Sequence, residues 1–290
     1  MNQNIFLQNF RKESQKPGKL EKLTYETWES LNYKSHTQKL KKNAWIYLPY
    51  NYSKNNKYNI LYLSHGGWSD ENTFMGSDTK PTIFKNIIDI SIEKKEINPL
   101  IIVLLTYNNT SNKDSWDFNL AIELTDRYHN ELINDLIPAV ESKYSTFAEN
   151  ISEKGLKNSR DHRAFGGFSM GSVNTWCTFR YCLDFFRYFI PISGNYSTSG
   201  EYIANFVRKS GHNFKDFFIY AASGTSDFAY PAFGEQIYSM NKVKNMFKMT
   251  NNEKGGNLFF LVKEGYEHTY EAAYEYIYNA LKFIWKNNYV

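Results

Sequence analysis

Six short apolar runs, each closed by a polar or glycine-rich turn, constrain this chain more than any other feature. They lie at 59–64, 100–105, 163–168, 188–193, 216–222 and 258–262. Most are continuous rather than alternating, the pattern of strands covered on both faces of a sheet. Between them lie longer stretches with helical spacing, at about 82–94, 120–144, 201–209, 233–249 and 272–286. Pro138 inside the second of these predicts a kink. Residues 23–31 and 44–48 add two earlier strands, the latter stopped by Pro49. Strands alternating with helices predict an α/β fold: a mostly parallel central sheet with helices on both faces. The polar residues 1–20, with Pro17 and Gly18, read as an arm or linker remnant, leaving 21–290 as a single domain.

Composition narrows the function classes. Over 290 residues, 42% hydrophobic and 22% charged are globular values. The net charge of +4 comes from dispersed lysines rather than an arginine–aromatic stripe, so nucleic-acid binding is not expected. No apolar run approaches the ~18 residues of a membrane helix. The first residues include Arg11, Lys12, Lys16 and Lys19 and lack an apolar core, so no signal peptide is visible. The chain is then either cytoplasmic from Met1 or a trimmed domain of an extracellular protein. Cys177 and Cys182 fall on different faces of one helix, which excludes a zinc site and argues against a disulfide.

Chemistry enters where the strands end. The run at 163–168 leads into Gly167-Phe168-Ser169-Met170-Gly171, a G-x-S-x-G turn before a helix. That arrangement is a nucleophile elbow, with the serine at a strained strand-to-helix turn. Asp227 follows the run at 216–222, and His268 follows the run at 258–262. Ligands and catalytic groups gather at the carboxyl ends of strands in an open parallel sheet. The order Ser, Asp, His is that of the α/β-hydrolases. A serine hydroxyl needs an imidazole to take its proton, and a carboxylate fixes the imidazole tautomer. Asp227 also has a plainer reading as a turn cap before Phe228, and His268 as a cap of the last helix. His36, His65, His129, His162 and His212 fit the base role less well by position. Oxyanion donors are expected from the backbone N–H of Met170 and of Gly67, in the turn His65-Gly66-Gly67-Trp68.

These residues also resemble a family. Tyr25-Glu26-Thr27, Tyr47-Leu48-Pro49, the run from Leu61 to Gly67, the stretch from Glu131 to Tyr144, the Ser169 elbow and Gly224-Thr225-Ser226-Asp227 are similar to the esterase D-like α/β-hydrolases. Within that group the chain looks most like the feruloyl esterases of carbohydrate esterase family one, over about residues 20–288. The resemblance implies Ser169 as nucleophile, Asp227 as acid, His268 as base, and Gly67 and Met170 as oxyanion donors, with no metal or cofactor. It implies a feruloylated plant cell-wall polysaccharide or oligosaccharide as substrate, and an extracellular, often multidomain, setting. The implied phenolic slot has Trp68, Trp116, Phe228 and Tyr266 as candidate walls. Ser172 departs from the family, which often has glycine there. Acetylxylan esterase, S-formylglutathione hydrolase and a mycolyl-type acyltransferase are alternatives within the fold. A non-catalytic carbohydrate-binding domain is the alternative outside catalysis.

Overall fold

The computed structural model describes residues 3–285. Its eight strands are β1 Lys19–Trp28, β2 Lys39–Leu48, β3 Asn59–Ser64, β4 Leu100–Leu105, β5 Arg163–Phe168, β6 Tyr188–Ile192, β7 Phe218–Gly224 and β8 Leu258–Lys263. They form one sheet in the order β1-β2-β4-β3-β5-β6-β7-β8. Pairing from β4 across to β8 is parallel, and β1 and β2 form an antiparallel edge.

The continuous apolar runs are explained by two cores. Side chains alternate across a strand, so each run supplies both faces. Ile60 and Tyr62 of β3, with Ile101 and Val103 of β4, join one core; Leu61, Leu63, Ile102 and Leu104 join the other. The helices divide between the faces. In chain order they are α1 Gln3–Gln8, α2 Ile83–Glu93, α3 Phe118–Arg127, α4 His129–Glu131, α5 Ile137–Glu141, α6 Glu153–Asn158, α7 Met170–Tyr181, α8 Gly200–Ser210, α9 Tyr230–Lys242 and α10 Tyr270–Phe283. Leu124 of α3, Trp176 of α7, Ile203 of α8 and Phe233 of α9 cover one face. Phe84 of α2 and Tyr274 of α10 cover the other, their rings stacked at 4.9 Å.

Several expectations change on folding. From residue 3 onward, the stretch read as an arm packs on the domain. Phe10 is buried against Tyr278 of α10, Ser14 donates to Glu93, and Gly18 N–H donates to Asp89. One apolar ring and a few polar anchors suffice to dock a polar segment, which composition alone does not reveal. The long helix around Pro138 is interrupted as well. Residues Leu132–Leu136 form a π turn, and Pro138 sits in the first turn of the α5 segment beyond it. The wider turn accommodates a residue that has no N–H to donate. The closing helix stops at Phe283, and Lys286, expected as its end, lies outside the described residues. Both cysteines are buried and free.

Residues of the family-like motifs act largely as scaffold. Glu131 pairs with Lys42 at 2.8 Å inside the fold and accepts the Tyr25 hydroxyl at 2.6 Å. Burial raises the Glu131 carboxyl, and the Lys42 charge opposes that shift. Arg163, at the base of the elbow strand, grips Glu141 with two hydrogen bonds of 2.7 and 2.9 Å. Its remaining donors reach the carbonyls of Leu156 and Phe185 and the hydroxyl of Ser159.

Candidate active site

Parallel register brings the carboxyl ends of β3, β4 and β5 level, with Ser64 opposite both Leu105 and Gly167. The elbow follows at once. Ser169 has φ 59° and ψ −117°, a left-handed conformation unusual for a residue with a side chain. Steric closeness sets the flanking glycines. A Cβ on Gly171 would lie 2.3 Å from the Ser64 carbonyl oxygen, and one on Gly167 would lie 2.3 Å from that of Gly171. Ser169 N–H donates to Ile192 O at 2.9 Å, tying the turn to β6. Ser172, at the position where the family resemblance leads to an expectation of glycine, donates to Gly194 O at 2.6 Å and so braces the loop after β6.

The β7 and β8 loops are stitched together. Thr225 N–H donates to Lys263 O, Ser226 N–H to Tyr266 O, and Gly265 N–H to Thr225 Oγ1. This lattice brings His268 to Asp227, with Nδ1 and Oδ1 at 2.8 Å. Oδ1 also accepts the Ala229 N–H at 2.8 Å, so the aspartate caps its turn and orients the histidine together. The His268 ring lies 4.5 Å from Phe168, the residue before Ser169. With its Nδ1 proton held by Asp227, the ring has Nε2 available to accept a proton.

The third part is the loop after β3. His65 is buried between Gly66 O, 2.7 Å from Nδ1, and Thr106 Oγ1, 2.8 Å from Nε2. A carbonyl only accepts, so Nδ1 carries the ring proton and Nε2 accepts from the threonine. Burial lowers the His65 pKa to about 4, which keeps the ring neutral and in this role. Gly66 N–H donates to Tyr270 Oη, and Trp68 N–H donates to Ser115 O. The Gly67 N–H between them has no protein acceptor among the described residues. Met170 N–H opens α7 and is one of the unpaired donors of a helix N-terminus. Gly66 and Ser169 are near neighbours, since a Cβ on Gly66 would stand 3.3 Å from Ser169 Cβ.

Three of the four expected aromatic walls stand at this edge. Phe228 is 78% exposed with its ring 4.2 Å from His268, and Trp68 and Trp116 are 65% and 53% exposed on adjoining loops. Tyr266 is not a wall. It is 3% exposed, and its hydroxyl donates to Glu275 at 2.6 Å inside the core. Its carbonyl rather than its ring faces the Asp227 loop. Residues absent from the sequence reading include Tyr107, Tyr270, Ser69 and Ser115, which hold the β3 loop. Tyr270 lies two positions after His268, but nothing local marks its partner, which is distant in sequence. A groove of about 430 Å³ lined by Arg180, Tyr202, Phe206 and Lys209 lies elsewhere and contains none of these site residues. Among the described residues no cluster of His, Cys, Asp and Glu is placed to hold a metal ion, and no helix is long and apolar enough to cross a membrane.

The chain is similar to known proteins over most of its length. Endo-1,4-beta-xylanase Y of Acetivibrio thermocellus is 38% identical over 244 residues, covering 82% of this chain and 21% of the xylanase. The chain thus spans about a fifth of the length of that curated relative. A mutant feruloyl esterase module from Clostridium thermocellum, complexed with sinapinate, superposes with a TM-score of 0.81 at 35% identity, covering 95% of this chain and 90% of the module. A ferulic acid esterase of the fungus Anaeromyces mucronatus shares the fold at 17% identity, with a TM-score of 0.66 and coverage of 94% and 93%. Residues 35–254 match the profile of the Esterase family. On these matches, and with its strand order and elbow, the chain belongs to the Esterase family of α/β-hydrolases.

Proposed function

We propose that this chain is a serine carboxylesterase that releases ferulic or p-coumaric acid from feruloylated arabinoxylan through an acyl-enzyme. The observation that carries the reading is the left-handed Ser169 at the end of β5, on the same sheet edge as the His268–Asp227 pair. Ser169 Oγ attacks the ester carbonyl while His268 Nε2 takes its proton. The tetrahedral oxyanion accepts from the N–H groups of Gly67 and Met170. As the intermediate collapses, the C–O bond to the sugar breaks and His268 returns the proton to the leaving oxygen. Water then gives a proton to His268 and attacks the acyl carbon; collapse frees the acid and restores Ser169. Exposed Phe228, Trp68 and Trp116 suit the phenolic ring, since aromatic faces favour offset or edge contacts with another ring.

Support for the substrate class comes from the feruloyl esterase module at 35% identity, which holds sinapinate. The relative called a xylanase, much longer than this chain, supports an extracellular multidomain setting. The test is a comparison of kcat/KM on methyl ferulate with that on an acetyl ester of matched leaving group, in wild type and Ser169→Ala. The reading expects faster feruloyl hydrolysis, abolished by the substitution. Faster acetyl hydrolysis would reject the substrate class, and activity retained in Ser169→Ala would reject the nucleophile.

A further inference from the structure

The loop after β3 has more side chains fastening its backbone than its length requires, and they converge on one peptide. A trans peptide is planar, so the Gly66 C=O and the Gly67 N–H point in opposite directions within one rigid unit. Whatever holds Gly66 O therefore aims Gly67 N–H. Tyr107, fully buried just beyond β4, donates its hydroxyl to Gly66 O at 2.8 Å. The His65 Nδ1 donates to the same oxygen, and the Tyr107 and His65 rings stack at 4.4 Å. The peptide before it is held by Tyr270, whose Oη accepts Gly66 N–H at 2.9 Å. Tyr270 Oη donates in turn to Ser69 Oγ at 3.0 Å, and Ser69 Oγ donates to Gly67 O at 3.0 Å. Packing fixes the Tyr270 ring: it meets Phe168 edge-on at 5.0 Å and Phe74 at 5.1 Å.

We propose that Tyr107 and Tyr270 are a pair of positioning residues that aim the Gly67 N–H at the developing oxyanion. Tyr107 holds the carbonyl end of the donor peptide, while Tyr270 and Ser69 hold the peptides on either side. This rests on the reading of Gly67 as an oxyanion donor. Its distinctive content is that the aim comes from three separate parts of the chain. Tyr107 follows the strand next to β3, Phe168 precedes the nucleophile, and Tyr270 opens the helix after the base. Seating of the base loop and shaping of the oxyanion pocket are thereby linked through a single hydroxyl. Both tyrosines are kept protonated by burial, so each hydroxyl retains a proton to donate across the ordinary pH range.

Tyr107→Phe and Tyr270→Phe remove only the hydroxyls. Each is expected to lower kcat on methyl ferulate about tenfold to hundredfold, short of the full loss of a donor, with KM within about twofold. Affinity for an arylboronic acid, which adds to Ser169 Oγ as a tetrahedral anion, should fall by a similar factor. Affinity for ferulate itself should not change. Ser69→Ala should share part of the Tyr270→Phe loss, and the double variant should be no worse than Tyr270→Phe alone, because the serine acts through the same chain of hydrogen bonds while Tyr270 Oη also accepts the Gly66 N–H. Wild-type kcat in both tyrosine variants overturns the proposal. So does an equal loss of boronate and ferulate binding, which marks general loosening of the site. Ser169→Ala run in parallel separates the cases: activity surviving there refutes Ser169 as the nucleophile and the oxyanion site built around it, whatever the tyrosine variants do.

Discussion

Asp227 Oδ1 is shared between His268 Nδ1 and the Ala229 N–H, each at 2.8 Å, while the buried Oδ2 has no hydrogen-bond partner among the described residues. One oxygen thus orients the histidine and closes the turn that carries the aspartate. Asp227→Asn retains a side-chain oxygen able to accept from Ala229, but its amide cannot fix His268 in the same tautomer. We expect kcat on methyl ferulate to fall by about 10⁴, with the melting temperature nearly unchanged. A loss of activity that tracks a loss of folded protein would show the contact to be structural only.

Phe228 and Tyr266 flank the same loops and should behave oppositely. Phe228→Ala removes an exposed ring that packs at a tilt against His268. It should raise KM for methyl ferulate several-fold more than KM for a small acetyl ester, with little change in unfolding. Tyr266→Phe leaves Glu275 without its 2.6 Å hydroxyl donor in the core. It should cost about 1–3 kcal/mol in denaturant unfolding and leave the ratio of the two KM values intact.

The strand that presents Ser169 is anchored by an ion pair sealed inside the fold. Arg163 and Glu141 are each almost wholly buried and bonded in a fork. Removing one partner strands the other, so Glu141→Leu or Arg163→Met should each cost about 3–5 kcal/mol. Replacing both together should recover much of that loss, because no bare charge remains. Guanidinium titrations of the two single variants and the double variant measure it.

His65 makes stability depend on pH with a definite sign. Its pKa is about 4 in the folded protein against an ordinary value of 6.5. Below pH 6.5 the unfolded chain takes up a proton that the folded chain refuses until about pH 4. The stabilisation is therefore fully present above pH 6.5 and is lost as pH falls through that window, on the order of 3 kcal/mol in all. Burial lowers His129 and His162 in the same direction. Unfolding midpoints between pH 7.5 and 4.5 should fall less steeply in His65→Gln than in wild type.

Much of the fold was legible because burial on both faces writes itself into a strand. The run at 100–105 needs apolar residues at every position, and it forms β4 over the same residues. The helix at 82–94 was legible for a local reason too, with Thr82 capping α2 through the Phe84 N–H. The docking of residues 3–20 was not, because it depends on where Tyr278, Asn86, Asp89 and Glu93 arrive from other parts of the chain. Tyr266 misled for the converse reason. Lying beside His268 in sequence, it looked like a wall, yet the turn of the backbone sends its ring inward to Glu275.

By itself the sequence determined which chemical groups stand at strand ends and in what order, because strand runs, glycine turns and side-chain types are local properties. Ser169, Asp227 and His268 were nameable on that ground alone. Only the tertiary structure decided how the parts are aimed. The loop that carries Gly67 is held by Tyr107, Tyr270 and the Ser115 carbonyl, which converge on it from separate elements. Hydrogen bonds between residues far apart in the chain leave no periodic trace in it, and they exist only once the sheet has brought its strand ends together.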